Sequence, residues 1–207
     1  MEKLDLVKYF KTYYSAKTKP ELVHIEEASF LSIRGKGDPA NQDFAARIKA
    51  LYSVAYSLKF KFKELKQDFT VAKLEGLWWF DEERYPNLTM TESRQKVPRS
   101  DWEYRLLIRM PEYVNQNILT TAINEAAAKK QLDLVKEIEL YQMAEGKVVQ
   151  MLHVGPFAEE LKTLIQMHEF IQAHGWQKNG KHHEIYLSDF NKTAPAKLKT
   201  ILREPVK

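Results

Sequence analysis

The chain has 207 residues, 44% of them hydrophobic and 12% aromatic, and its 32 basic and 28 acidic side chains give a net charge of +4. This length suits one compact unit, and the composition excludes a disordered or collagen-like chain. The lack of cysteine excludes disulfides, thiol nucleophiles and thiolate metal sites. A charged N-terminus and the absence of a long apolar run argue against secretion and membrane insertion, so we expect a cytoplasmic protein with no membrane partner.

The basic side chains are dispersed except for one cluster, Lys59, Lys61, Lys63 and Lys66. Such a cluster can bind an anion or a nucleic acid, but it also lies where a helix is expected to end. Cations near a helix C-terminus are favoured by the helix dipole, so we prefer the interpretation of a solvated helix face. No helix-turn-helix, zinc-finger or aromatic RNA-binding pattern accompanies the cluster, and we expect no direct binding of nucleic acid.

The N-terminal part of the chain predicts an arm, two strands and a helix. Residues 1–20, rich in lysine and aromatic residues, are expected to form an arm that packs on the body or covers a site. Two β-rich segments follow at 22–25 and 30–34. Asp38 and Pro39 then suit the N-cap and first position of a helix with apolar residues at helical spacing.

The central part predicts two further strands separated by a loop. Residues 69–80 are predicted to form a strand that ends in three aromatic residues, and residues 81–100 are expected to be a long loop that carries function or moves. Residues 102–110 alternate in polarity as a strand does, with Trp102, Tyr104, Leu106 and Ile108 on one face. Pro111 then opens a helix that is expected to reach about Lys130.

The C-terminal part predicts strands and one more helix. Strands at 135–143 and 147–153 are expected to form a tight hairpin through Gly146. A helix follows the run His153-Val154-Gly155-Pro156-Phe157 and extends to Gly175. Two last strands are expected at 181–189 and 198–203.

The order strand, glycine, proline-initiated helix, strand, strand occurs twice, in residues 22–110 and again in residues 136–205. We interpret this order as an internal duplication. It predicts an α+β fold of two strand-helix-strand-strand modules with pseudo-twofold symmetry, antiparallel sheets with helices on one side, and a central ligand cleft where the modules meet.

The run 181–189 carries the most informative pattern. Alternation places Glu184, Tyr186 and Ser188 on one face of a strand, with His183 and its alternate neighbours on the other. A carboxylate beside a tyrosine, in a chain with four tryptophans, is typical of a site for flat or cationic molecules. The alternative is an edge-strand glutamate that faces water, which is the commoner position of a lone strand glutamate.

The duplicated order, the turn at 153–157 and the run His183-Glu184-Ile185-Tyr186-Leu187-Ser188-Asp189 resemble the GyrI-like small-molecule-binding domain family over roughly residues 20–205. The segment at 74–80 is similar to the stand-alone branch of that family. The resemblance implies a cavity between two modules with Glu184 projecting into it. It also implies hydrolysis of cyclopropanoids, DNA-alkylating natural products that contain a spirocyclopropane cyclohexadienone, as a detoxification activity in bacteria. The domain organisation expected is an arm at 1–20 and a single GyrI-like domain at 21–207.

Hydrolysis of a strained, conjugated cyclopropane requires a base, a polar donor and a dry aromatic slot. Glu184 is the candidate base, and burial is expected to raise its pKa. Tyr186 is the candidate donor, with cross-strand packing as the alternative. Further residues are predicted to line the ligand site: Trp78, Trp79, Trp102, Tyr104, Tyr141, Met143 and His153. Trp78 and Trp79 are adjacent and must point to opposite faces, so one of them is expected in the core or on a homodimer surface.

Other kinds of site find little support. His153 can act as a second acid or base, although capping the turn is the favoured interpretation. His182 and His183 are adjacent, and His168 and His174 lie six positions apart, so neither pair has the spacing of metal ligands on one face. The chain has no nucleophile-elbow, phosphate-loop or dinucleotide motif, and we expect neither a metal nor a cofactor.

Two functions are favoured at this point, and a protein-interaction role, such as binding a topoisomerase, ranks behind them. The first is a cofactor-independent hydrolase that uses Glu184 on a hydrophobic aromatic small molecule. The second is a module that binds or senses hydrophobic or cationic drugs, with Glu184 as a counter-ion only. A transcriptional role would require a partner chain with a DNA-binding domain.

Overall fold

One antiparallel sheet dominates the computed structural model, which describes residues 3–130 and 132–207. Its strands are β2 (Glu21–Ile25), β3 (Ala28–Lys36), β5 (Leu74–Trp79), β6 (Glu103–Arg109), β7 (Glu139–Met143), β8 (Gly146–Val154), β9 (His182–Tyr186) and β10 (Lys199–Pro205). A separate parallel pair joins β1 (Leu4–Asp5) to β4 (Phe69–Thr70). The helices are α1 (Leu6–Tyr9), α2 (Gln42–Glu64), α3 (Met90–Lys96), α4 (Gln116–Lys130) and α5 (Glu160–Ala173).

The strand order is β2-β8-β10-β9-β5-β6-β3-β7. In the first half β3 pairs with β6 and β6 with β5, while in the second half β8 pairs with β10 and β10 with β9. The halves join where β5 pairs with β9. The predicted α+β fold with an antiparallel sheet is confirmed, and the pairing order repeats as a duplication requires. The pseudo-twofold axis and the division into modules stay predictions.

The outer strands of the sheet cross from one half to the other. β2 pairs with β8, and β7 pairs with β3, so the predicted hairpin between the segments 135–143 and 147–153 is wrong. Two residues, 26–27, connect β2 to β3, although β2 is the first and β3 the seventh of the eight strands in the order. Such a connection spans at most about 11 Å. The sheet must therefore curl until its two edges approach each other.

Two predicted helix starts are displaced. Asp38 does not cap α2, because its carboxylate accepts a hydrogen bond from the Ala40 amide at 2.9 Å and so closes a separate turn before the helix. Pro111 likewise lies in a turn, closed by the Val114 amide at 3.0 Å. Helix α4 begins after Asn115, whose side chain accepts from the amide of Ile118 at 3.2 Å.

The predicted loop at 81–100 contains a helix. Thr89 and Glu92 form a capping box at the start of α3, in which each side chain accepts from the other residue's backbone amide. A short 3-10 turn at Arg99–Asp101 leads from there into β6. The segment is thus an ordered cover that lies beside α5, and it contributes to the cavity described below.

The N-terminal arm packs on the body of the protein, as one of its two predicted arrangements requires. Tyr13 and Tyr14 are buried, and both phenol groups donate to the Glu75 carboxylate, at 2.5 and 3.2 Å. Leu6 is also part of the main hydrophobic core. The arm is therefore fixed by a polar anchor as well as by apolar packing.

Helices cover both halves of the sheet and leave the cavity between them. Helix α2 contacts β3, β6 and α4, and buries a stripe that includes Leu51, Val54 and Leu58. Helix α5 contacts β8 and closes a second, smaller core. No helix in the described part of the chain is long and apolar enough to cross a bilayer.

Candidate functional site: an aromatic cavity with a shared ion pair

A cavity of about 620 Å³ lies at the junction of β5 and β9, between the N-terminal ends of α2 and α5 and beneath α3. This volume falls within the range of small-molecule sites. Its walls are largely aromatic and comprise Phe44, Trp78, Trp102, Phe157, Tyr186 and Phe190. Phe157 and Phe190 meet the Tyr186 ring edge to face, with centroids 5.9 and 6.1 Å away. The cavity therefore presents flat apolar surfaces suited to an aromatic ligand.

Strand β9 supplies the polar wall. His182, Glu184 and Tyr186 face the cavity, whereas His183 makes its contacts on the opposite side of the strand. This is the alternation predicted from the sequence, and it brings the two candidate catalytic residues together. Glu184 is only 7% exposed, so it does not face open water.

Two hydrogen-bond donors and one further cationic group surround the Glu184 carboxylate. Tyr186 donates to one oxygen at 2.8 Å, and Arg94 donates to the other at 3.2 Å. His182 Nε2 lies 3.3 Å from that second oxygen. Burial acts to raise the pKa of Glu184, but the contact with His182 and the positive charges of His182 and Arg94 outweigh it and hold the pKa below its ordinary value. The expected rise in pKa is therefore wrong, and Glu184 is ionised at neutral pH.

His182 links two carboxylates. Its Nδ1 lies 2.6 Å from Glu204 Oε1, while its Nε2 approaches Glu184 from the other side. Burial acts to lower the pKa of His182, but the charge of Glu204 and the contacts with both glutamates raise it to about 9. The imidazole is therefore charged at neutral pH and serves as a fixed cation behind Glu184.

Glu160 is a second buried carboxyl group at the cavity. It lies in the first turn of α5, is 1% exposed, and accepts a hydrogen bond from the Arg94 guanidinium through one oxygen. Its other oxygen is buried and has no hydrogen-bond partner among the described residues. Burial, followed by the charge of Glu184, raises the pKa of Glu160 to about 8. Glu160 thus holds a proton at neutral pH while Glu184 does not.

The Tyr186 hydroxyl is oriented from two sides. It accepts a hydrogen bond from Trp78 Nε1 at 3.2 Å and donates to Glu184 at 2.8 Å. Burial and then the charge of Glu184 raise the pKa of Tyr186 well above its ordinary value. Tyr186 therefore stays neutral and can act as a donor, but not as a base, near neutral pH.

Trp79 and Tyr104, both predicted to line the ligand site, lie outside the cavity lining. Trp79 points to the opposite face of β5 from Trp78, donates to Glu103 at 3.1 Å and has the Lys181 ammonium 3.4 Å from its ring centroid. The Tyr104 ring covers Gly35 on the neighbouring strand and packs behind Trp78 with a centroid separation of 5.4 Å.

Tyr141, Met143 and His153 also lie away from the cavity lining. Tyr141 and Met143 belong to β7, which pairs with β3 at the far edge of the sheet and so cannot reach the β5–β9 junction. His153 lies within hydrogen-bond distance of the Thr163 hydroxyl, at 2.9 Å, and of the Pro156 carbonyl, at 3.2 Å. It therefore ties the end of β8 to α5, in line with the capping interpretation.

Sequence reasoning missed Arg94 and Glu160, and did not assign Phe44, Phe157 or Phe190 to the ligand site. One signal was available, since Thr89-Met-Thr-Glu92 has the pattern of a capping box and predicts the helix that carries Arg94. Glu160 gave no signal, because a glutamate in the first turn of a helix is common on exposed surfaces.

A second polar cluster, here called the back-face network, lies on the other side of the sheet. It comprises Tyr13, Tyr14, Glu75, Glu145, His183 and Arg203. His183 lies 3.0 Å from both Glu75 and Glu145, whose charges raise its pKa to about 9 against the opposing effect of burial. These contacts join β5, β9 and β10 to the N-terminal arm, which gives the network a structural role.

The α+β fold has a curled antiparallel sheet, and its cavity combines aromatic walls with a buried carboxylate. Together they define a small-molecule-binding domain. The family model for the GyrI-like small-molecule-binding domain matches residues 18–207. The chain therefore belongs to the GyrI-like family, and the resemblance inferred from the sequence is confirmed.

Solved structures extend this finding. A crystal structure of an uncharacterized conserved protein from Listeria innocua has 37% sequence identity and a TM-score of 0.88, over 99% of this chain and 100% of that one. A crystal structure of a hydrolase from Listeria innocua has 36% identity and a TM-score of 0.84, with the same coverage. The C-terminal domain of EcmrR shares the fold at 13% identity and a TM-score of 0.54, over 91% and 97% of the two chains. No curated protein matched the chain.

Proposed function

We propose that the protein is a cofactor-independent hydrolase that opens cyclopropanoid genotoxins, which carry a spirocyclopropane cyclohexadienone, by addition of water, and that it thereby detoxifies them. The observation that carries the proposal is a buried Glu184 carboxylate at the wall of an aromatic cavity, hydrogen-bonded by Tyr186 and Arg94 and with His182 Nε2 3.3 Å away. The likeness to a hydrolase of 36% identity over nearly the full length of both chains supports it.

The reaction is an addition that needs no redox partner. The oxygen of water attacks a methylene carbon of the cyclopropane, and the carbon–carbon bond to the spiro centre breaks. The released electron pair moves into the ring and makes it aromatic, so that the dienone oxygen becomes a phenolate. One proton leaves the attacking water and one proton reaches the phenolate oxygen, and the net change is the gain of one water.

Glu184 is the proposed base. Its lowered pKa keeps it ionised, which a base requires, but also makes it a weak base. General base catalysis typically contributes about 100- to 10,000-fold, so relief of ring strain and formation of the aromatic ring supply much of the remaining drive. Tyr186 fixes one oxygen of Glu184 and leaves water to approach along the remaining lone pairs.

Glu160 is the proposed proton donor. It is protonated at neutral pH and has one oxygen without a hydrogen-bond partner in the described part of the chain. A base and an acid whose pKa values are pushed in opposite directions by their surroundings are the pattern expected of an acid–base pair. Arg94, which contacts both carboxyl groups, would stabilise the negative charge as it passes from Glu184 to the substrate oxygen.

The deciding experiment follows a cyclopropanoid cyclohexadienone by loss of dienone absorbance and by product mass, with the wild type and with Glu184→Gln. We expect multiple turnovers that add one water, and at least a 100-fold loss in the variant with substrate binding retained. Glu103→Gln is the matched control, because Glu103 contacts Trp79 outside the cavity, and it should leave turnover unchanged.

Tight binding by the wild type without product would overturn the hydrolase proposal. The protein would then be a module that sequesters or senses hydrophobic compounds, and Glu184 would act only in binding.

A further inference from the structure

Arg94 occupies a position that ligand binding would otherwise use. Its Nη2 contacts both Glu160 and Glu184, and its Nη1 donates to the backbone carbonyl of Phe157 at 3.3 Å. Its side chain is 25% exposed. Helix α3 thus inserts a guanidinium between two carboxyl groups, and contacts on both of its terminal nitrogens fix it there.

The surroundings of Glu184 leave little negative charge for a ligand. Aromatic walls attract cations, and a carboxylate among them normally strengthens that attraction. Here one oxygen of Glu184 faces Arg94 and His182, and the other accepts from Tyr186. A ligand cation would have to displace one of these three groups or remain without a partner in an apolar cavity, which is unfavourable.

We propose that Arg94 is a built-in counter-ion that determines the specificity of this cavity: it fills the place of a ligand's positive charge beside Glu160 and Glu184, so the cavity accepts uncharged aromatic molecules and rejects cations. The inference rests on the proposed function in taking this cavity as the ligand site. It does not require that the bound molecule be hydrolysed.

The charges at the site agree with this assignment. The carboxylates of Glu184 and Glu204 are matched by Arg94 and protonated His182. Glu160 adds no charge while it is protonated, and its pKa of about 8 places that state at neutral pH. The site is therefore close to electroneutral before any ligand enters, and removal of Arg94 would leave one uncompensated negative charge.

Arg99 is a natural control for this role. It also lines the cavity, but its side chain is 73% exposed and its contact is with Asp38 at 3.4 Å, not with the buried glutamates. Removal of its charge changes the rim of the cavity and leaves the charge balance at Glu184 intact.

The test compares two probes of nearly the same shape that differ by one permanent charge, 1-methylquinolinium and 1-methylnaphthalene. Their affinities are measured by titration calorimetry at pH 7 for the wild type, Arg94→Gln, Arg94→Lys and Arg99→Gln, with circular dichroism to verify folding. We expect the wild type to bind the neutral probe at least tenfold more tightly than the cation. Arg94→Gln should shift this ratio toward the cation by at least tenfold, while Arg94→Lys and Arg99→Gln should each change it less than threefold.

Equal or tighter binding of the cation by the wild type would overturn the proposal, as would a folded Arg94→Gln variant whose probe ratio is unchanged. Failure of the folded wild type and variant to bind either probe would also count against it, because the cavity would not then be an aromatic ligand site. A wild type that shows the expected ratio but no turnover of a cyclopropanoid would leave this inference standing and refute the proposed hydrolase.

Discussion

Gly76 lies directly opposite Glu184 in the register of β5 and β9. A methyl group on Gly76 would approach Trp78 Nε1 to 2.9 Å and the Tyr186 hydroxyl to 3.1 Å. These are the two groups that form the hydrogen bond orienting Tyr186 toward Glu184. The absence of a side chain at this one strand position is therefore what allows the indole and the phenol to meet above the carboxylate.

Gly76→Ala should lower turnover by at least tenfold, because the added methyl group forces Trp78 and Tyr186 apart and releases one oxygen of Glu184. Overpacking of this kind typically costs about 1–3 kcal/mol of folding free energy. Turnover and the affinity for 1-methylnaphthalene report the change in the site. A urea unfolding curve of the same variant reports the change in stability.

Gly35→Ala provides the comparison for that variant. A methyl group there would meet the Tyr104 ring at 2.3 Å, outside the cavity lining, so stability should fall while the affinity of the folded fraction is unchanged. Full activity of a folded Gly76→Ala variant would show that the hydrogen bond between Trp78 and Tyr186 does not contribute to turnover.

Turnover should decline as pH rises through about 8, because Glu160 then loses the proton it is proposed to donate. Glu160→Gln should reduce turnover at pH 7 by about 100-fold or more and should abolish this alkaline limb. The pH dependence of kcat for both proteins is the measurement. Persistence of the alkaline limb in Glu160→Gln would show that a group other than Glu160 causes it.

The free energy of unfolding should decrease as pH rises between about 6.5 and about 9. His182 and His183 have ordinary pKa values of 6.5 and values of about 9 in the folded protein. A raised pKa means that the folded state retains protons that the unfolded state has lost. The stabilisation from these two histidines is therefore complete below their pKa in the unfolded chain. It is lost as pH rises through their pKa in the folded protein, at up to about 1.4 kcal/mol per pH unit and proton.

Urea unfolding at pH 6, 7.5 and 9.5, with the wild type and His183→Gln, measures this dependence. The stability difference between the two proteins should be largest at pH 6 and should narrow toward pH 9.5, because only the wild type has a charged imidazole between Glu75 and Glu145. A difference that is constant with pH would contradict a protonated His183.

Tyr13→Phe should destabilise the protein by about 1–3 kcal/mol, because it leaves the buried Glu75 carboxylate with one donor fewer. Tyr9→Phe is the matched control, since Tyr9 is 73% exposed and lies in the same arm. Thermal unfolding of the two variants tests the polar anchor. Equal stability of both variants would show that apolar packing alone holds the arm.

Much of the polar wall could be predicted from the sequence. Period-2 alternation is a local property, so the common face of Glu184 and Tyr186 follows from their spacing alone. The opposite orientations of Trp78 and Trp79 follow in the same way. Local pattern could not reveal that Tyr141 and Met143 lie on a strand at the far edge of the sheet, because that depends on which strand β7 pairs with.

Strands β7 and β8 show why local pattern is not enough: they follow each other in the chain but do not pair. Gly146 adopts a positive φ of 67°, as a tight turn requires, and the chain does turn there. Local turn chemistry nevertheless leaves the strand partners open, and long-range packing sends β7 to β3 and β8 to β2 and β10. Arg94 was missed for a related reason, since its role depends on where a separate helix docks.

Because the proposed selectivity residue lies on α3, ligand selectivity can change by substitution separately from the rest of the fold. The carboxylates are built into β9 and α5, where substitutions disturb the sheet and the second core. The neutralising charge comes from α3, a short helix in a cover segment that also has exposed positions such as Gln95 and Lys96. A single codon change at position 94 can therefore alter which molecules the domain admits without any redesign of the fold that contains them.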